Sequence, residues 1–176
     1  MGDASHFRAI SLPPFRSPRQ GKVSSSWMHI TLAHVGARPG SRDSIEPLIQ
    51  AYLKRCSGFA QCHAEAFRTQ EAMLEWVDRR QGRAPVAVVL LDSRGRSMTS
   101  EAFAAWLGGR RDEGAQHIVF AVGPASGWTD ATRQRAGLVL SLGPMTLAHT
   151  LARLVLAEQI YRAFTILSGH PYHTGH

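Results

Sequence analysis

Residues 85–91 read Pro-Val-Ala-Val-Val-Leu-Leu, an unbroken apolar run bounded by Pro85 and Asp92. A run that is apolar at every position, instead of every second one, predicts a strand buried on both faces, as in the middle of a parallel sheet. Working outward, Thr99 to Arg111 predicts a helix with Phe103, Trp106 and Leu107 inward, and Thr69 to Arg80 one with Met73, Leu74 and Val77 inward. Further strands are expected at Met28 to Val35, Phe59 to Phe67, Ile118 to Val122 and Leu138 to Leu142. Ile45, Leu48, Ile49, Tyr52 and Leu53 share one helical face, and Leu147 to Leu167 predicts a long helix with little polar surface. Strands alternating with helices predict an α/β domain with a mainly parallel, five- to six-stranded sheet flanked by helices.

Composition bounds the partner. The chain has 176 residues, 44% hydrophobic and 19% charged, which fits a folded domain with a core. No apolar run is long enough for a membrane span, so a protein of the cytoplasm is expected. Net charge is +7, and only Lys22 and Lys54 among the 20 basic residues are lysines. Guanidinium pairs two-pronged with phosphate and stacks on bases, which suits a nucleic-acid partner; a GC-rich genome would also favour arginine. Cys56 and Cys62 lack zinc-site spacing and form no disulfide framework, so both are expected reduced and no metal is expected. Residues 1–27, with Pro13, Pro14, Pro18 and four basic side chains, predict a disordered basic arm or a stretch upstream of a start at Met28; the folded domain is expected over 28–176.

Ligands of such sheets sit outside the carboxyl ends of the strands, which singles out three loops. After Leu91 comes Asp92-Ser93-Arg94-Gly95, where Asp92 either accepts hydrogen bonds from a ribose or simply closes a turn on its own backbone. After Val122 comes Gly123-Pro124-Ala125-Ser126-Gly127-Trp128, with no phosphate-binding lysine and no dinucleotide glycine pattern. After Ser141 and Leu142 comes Gly143-Pro144-Met145-Thr146-Leu147-Ala148, so apolar that it is expected to be buried, around an adenine ring or as a plain connection.

The third loop opens a longer pattern: residues 140–173 read LSLGPMTLAHTLARLVLAEQIYRAFTILSGHPYH. The serine-leucine strand end, Met-Thr-Leu, His149-x-x-x-Arg153, Glu158-Gln-x-Tyr-Arg-Ala163 and the terminal Pro-Tyr-His resemble, in order, the signature of the ribosomal large subunit methyltransferase H (RlmH) family of SPOUT proteins. Leu91-Asp-x-x-Gly95 and the Gly123-Pro124 loop fall where that family has theirs, so the resemblance runs from about Met28 to His173. Departures are Val122 in place of a first glycine, Ala125-Ser126 with one added residue where an acidic residue is usual, and Gly143-Pro144 and Ala148 in the third loop.

The resemblance implies a SPOUT fold with a deep C-terminal trefoil knot, an exception to the rule that chains avoid knots. It implies a homodimer that binds S-adenosylmethionine (SAM) and methylates N3 of a pseudouridine in helix 69 of 23S rRNA, on assembled 70S ribosomes. By position, Leu91, Gly123, Gly143, Pro144, Met145, Thr146, Leu147 and Ala148 become the SAM contacts. Methyl transfer needs alignment, and the N3 proton needs an acceptor. For that role His173 is the first candidate to meet the target base, with Tyr172 stacking or orienting it; alternatively the tail orders only on RNA and His173 meets phosphate. Arg153 is the third catalytic candidate, reaching the donor or an RNA phosphate, or else bonding across a dimer interface. Glu158 and Arg162 are read as a helical ion pair, and His149 as a capping or interface residue. A helix apolar nearly all round calls for a symmetric partner or for cover from its own chain. Two other functions remain open: a SPOUT enzyme acting on tRNA, and an inactive ribosome-binding protein of this fold.

Overall fold

The computed structural model describes residues 28–40, 43–81 and 86–173. The basic arm at 1–27, Pro85 and the last three residues lie outside them. Five strands form one sheet: β1 (His29–Val35), β2 (Gln61–Phe67), β3 (Val86–Ser97), β4 (His117–Val122) and β5 (Leu138–Ser141). Their order is β2-β1-β4-β3-β5 and each neighbouring pair is parallel, as the run at 85–91 predicts for its own strand. The connecting helices are α1 (Glu46–Cys56), α2 (Gln70–Asp78), α3 (Ser100–Asp112), α4 (Asp130–Gln134) and α5 (His149–Ser168), and a 3₁₀ turn covers Pro171–His173. Among the described residues, no helix is long and apolar enough to cross a membrane.

Strand alternation divides the core in two. Ile30, Leu32, Val89, Ile118 and Phe120 face α1, α3 and α5, while Ala33, Val88, Leu90, Val119 and Ala121 face α2. Polar side chains set the helix starts: Thr69, Thr99 and Thr129 each accept from the amide three residues on, at 3.1, 3.2 and 3.1 Å, and Asp43 accepts from the Ile45 and Glu46 amides. Gly169 closes α5 in the left-handed conformation, φ 68°.

The structure departs from the sequence reading at several points. Phe59 lies in the turn before β2 instead of in the strand, and Leu48 faces solvent while Ile49 and Leu53 are buried. The short α4 is not foreseen. Most consequential, β3 runs on to Ser97 where a loop is expected from Asp92. Leu140 of β5 stands opposite both Leu91 and Arg96, so Asp92 to Gly95 bulge out of register and the strand then resumes. A Cβ on Gly95 would stand 2.7 Å from the Val139 carbonyl oxygen, so only glycine lets the resumed strand close on β5.

Candidate active site

Because β4, β3 and β5 are adjacent, the three loops chosen from sequence meet at one end of the sheet. They line a cleft of about 480 Å³ together with the start of α5, a volume in the range of small-molecule sites. Of the expected cofactor contacts, Leu91, Gly123, Gly143, Met145, Thr146 and Leu147 line this cleft. Pro144 faces a second hollow of about 540 Å³ across the same loop, between α3 and α5, and Ala148 lines neither.

The first loop takes the turn alternative of its sequence reading, and the third departs from its reading. Asp92 closes a turn: its Oδ1 accepts from the Arg94 amide at 2.9 Å, and its Oδ2 accepts from Arg133 at 3.1 Å. Burial pushes the carboxyl up, but the Arg94 and Arg133 contacts outweigh it and hold the group below its usual range. The carboxylate is thus spent on the protein. In the second loop Gly123 lies under the ring of Trp128, whose indole Nε1 donates to the Leu91 carbonyl at 2.8 Å. The third loop is not buried: residues 144–148 are exposed, Met145 to 79%. The apolar content that predicted burial lies on an outer face of the chain, beside the cleft.

The loop reaches α5 without a side-chain cap, since Ala148 stands at the N-cap and has no acceptor to offer. Among the described residues, no side chain caps the first-turn amides of α5, which begins beside the cleft. His149 lines the cleft, and its Nε2 is buried with no hydrogen-bond partner among the described residues. Its ring meets His34 edge-on at 5.5 Å. The His34 Nε2 donates to the Ala37 carbonyl at 3.1 Å, which leaves a buried, unpaired Nδ1. Burial first, then the charge of Arg153, holds His149 below its usual pKa; burial also lowers His34. Both rings are neutral at neutral pH.

The three catalytic candidates lie elsewhere. Arg153 is 2% exposed and donates to Glu46 of α1 at 2.7 Å, so its guanidinium is enclosed within its own chain and does not line the cleft. Its Nε is buried with no hydrogen-bond partner among the described residues. Tyr172 and His173 do not line the cleft either. Tyr172 donates to Glu158 at 3.1 Å and packs edge-on against Tyr161 at 4.9 Å, and His173 meets Glu101 of α3 at 2.8 Å. The tail is thus a folded turn on α5 and α3. Burial, with hydrogen bonds to Tyr52 and Glu158, pushes the Tyr172 phenol up, so it stays protonated. Glu158 and Arg162 do pair, at 2.7 Å, one turn apart.

Sequence reasoning overlooks Trp128 and Arg133. Thr129-Asp130 after a tryptophan is a helix-start signal that would have placed α4, whose Arg133 reaches Asp92.

Comparison with known proteins bears on this site. A family model described as "Predicted SPOUT methyltransferase" matches residues 28–173. The chain is 48% identical over 133 residues to the ribosomal RNA large subunit methyltransferase H of Koribacter versatilis, covering 76% of this chain and 90% of that one. To the protein of the same name from Brucella ovis it is 47% identical over 109 residues, or 62% of this chain and 64% of the relative. Among solved structures, it is similar to the SpoU methyltransferase AviRb of Streptomyces viridochromogenes in complex with AdoMet, with a TM-score of 0.46 at 14% identity over 80% of this chain and 58% of that one. A probable methyltransferase from Bordetella pertussis Tohama I gives 0.48 at 13% identity, over 78% and 96%.

Proposed function

Since this chain belongs to the SPOUT methyltransferase family, whose methyl donor is S-adenosylmethionine, we propose that it methylates 23S rRNA of the large ribosomal subunit at N3 of a pseudouridine in helix 69, in assembled ribosomes. The observation that carries the reading is the meeting of the loops after β3, β4 and β5 in one cleft. The names of the Koribacter and Brucella relatives supply the substrate class.

The cleft suits SAM. It has the volume, an apolar rim in Leu91, Met145 and Leu147, amides without a side-chain cap at the start of α5 for an acceptor group, and a buried histidine nitrogen still lacking a partner. When bound there, SAM supplies a methyl group on a sulfonium, a good leaving group. The chain's part is then orientation and proton handling: donor carbon and acceptor nitrogen must be held about 3 Å apart and in line. Gly143, at φ 125° with open space where a Cβ would be, lets the third loop turn around the ligand. Asp92 and Arg133 brace the first loop.

We place Tyr172 and His173 at the target base, His173 accepting the N3 proton and Tyr172 orienting the base. Neither reaches the cleft of its own chain, and a homodimer answers this: the tail of one subunit serves the cleft of the other. Support comes from the apolar face that the chain leaves uncovered, with Met145 79%, Leu151 44% and Val155 37% exposed. We include in this reading a deep trefoil knot at the C-terminal segment. The arginine-rich surface suits rRNA phosphate, and a ribosomal substrate puts the protein in the cytoplasm.

Incubating the protein with radiolabelled SAM and, separately, 70S ribosomes, free 50S subunits and total tRNA tests the substrate class. Label in large-subunit RNA is expected, strongest on 70S. Label in tRNA alone would redirect the reading to a tRNA enzyme, and no label with no SAM binding would point to an inactive ribosome-binding protein.

A further inference from the structure

We infer that Trp128 is a positioning residue of the cofactor cleft, fixing β3 at Leu91, just before its bulge, through its indole N–H; the inference rests on the SAM reading of that cleft. Trp128 follows an exposed turn, yet its side chain is folded back under the loop and is 4% exposed. The indole Nε1 donates to the Leu91 carbonyl at 2.8 Å, across 37 residues of sequence. The ring also lies against Gly123 so closely that a Cβ there would stand 2.8 Å from Cε2. One side chain thus touches the residue before the first loop of the cleft, Leu91, by a hydrogen bond, and the first residue of the second, Gly123, by ring contact.

The backbone around Trp128 is held as firmly. Its carbonyl accepts from Arg133, whose guanidinium also donates to Asp92, the residue after Leu91. Gln70, at the start of α2, donates to the Gly127 carbonyl and accepts from the Thr129 amide, both at 3.2 Å, so both flanking residues are tied to a third element. The result is a closed circuit from Leu91 through Trp128 and Arg133 to Asp92. It sets the separation of Leu91 in β3 from the end of β4 before any ligand arrives, which lowers the ordering cost of binding.

The indole N–H is committed to Leu91, so Trp128 acts on a ligand through the Leu91 peptide. Trp128→Phe removes the N–H together with one ring of the indole and frees that carbonyl to turn into the cleft. The test is SAM titration of wild type and Trp128→Phe by calorimetry, at a temperature where circular dichroism shows both folded. A SAM Kd raised about five- to tenfold is expected, the scale of one net hydrogen bond. In parallel, SAM should shift the indole emission of the wild type and leave that of the variant much less changed. A variant that melts earlier but binds SAM with wild-type Kd makes Trp128 merely structural and overturns the inference. If the variant does not fold, benzothienylalanine at position 128, which keeps both rings and puts sulfur in place of the N–H, decides instead: a wild-type SAM Kd there also overturns the inference. Failure of the wild type to bind SAM at all is a separate result, which removes the cofactor reading itself.

Discussion

Arg153 on α5 and Glu46 at the start of α1 meet at 2.7 Å across 107 residues of sequence, with the arginine side chain 2% exposed. The pair ties the helix that follows the third cleft loop to the helix that follows β1. Breaking such a pair strands a buried charge, which costs about 3–5 kcal/mol. Glu46→Leu alone, which strands the enclosed guanidinium, should therefore lose about that much in urea unfolding. The double change Glu46→Leu with Arg153→Met should cost much less than the two single changes summed. Strict additivity would mean that the two side chains do not interact.

Gly95→Ala tests the resumed part of β3. Its Cβ would stand 2.7 Å from Val139 O and from Leu140 C, both backbone atoms that cannot swing aside. Loss of about 3 kcal/mol or more, or failure to fold, is expected from forcing β3 and β5 apart. A wild-type melting temperature would show that the two strands do not approach this closely.

Acid stability should be set on the other face of the sheet. The buried Thr31 hydroxyl is shared by His63 Nε2 at 3.0 Å and His117 Nε2 at 2.8 Å. It can donate to only one of them, so the other ring donates to it. Burial first, then the charges of His29, His63 and Arg80, pushes His117 down to about 4. A histidine lowered in this way holds fewer protons folded than unfolded. Stability should thus be full above about pH 6.5 and decline by roughly 2–3 kcal/mol as pH falls to 4. His117→Gln should flatten that slope in urea melts taken at pH 4, 5 and 7; an unchanged slope would put the acid sensitivity elsewhere.

The tail prediction separates binding from turnover. His173→Gln should lower kcat on ribosomes by roughly 10²-fold or more, the usual scale for a general base, with SAM affinity unchanged. Tyr172→Phe loses the hydrogen bond to Glu158 but keeps the ring on Tyr161, and should cost less than Tyr172→Ala. Full turnover by His173→Gln would remove the residue from the chemistry.

The sheet was legible in the sequence because its signal is local: a strand such as 85–91 that is apolar at every position has few other places to go. The cleft was legible because loops at strand ends inherit their place from the sheet order, and six of the eight expected cofactor contacts do line it. What sequence could not yield was the use of each polar group. Asp92 looks equally ready for a ribose or a turn until Arg133, from a helix the pattern did not reveal, is seen on its second oxygen. Arg153 looks like a free cation until Glu46 is found against it. The outward face of residues 144–148 runs against composition itself, because apolar residues predict burial without saying which partner provides it.

The central claim is a single methyl group at a single atom. Ribosomes from cells lacking the enzyme, incubated with the protein and labelled SAM, can be digested and mapped by mass spectrometry. N3-methylpseudouridine in helix 69 of 23S rRNA is expected, formed faster on 70S ribosomes than on free 50S subunits. A methyl group at another nucleotide of the large subunit, or in tRNA, would contradict it.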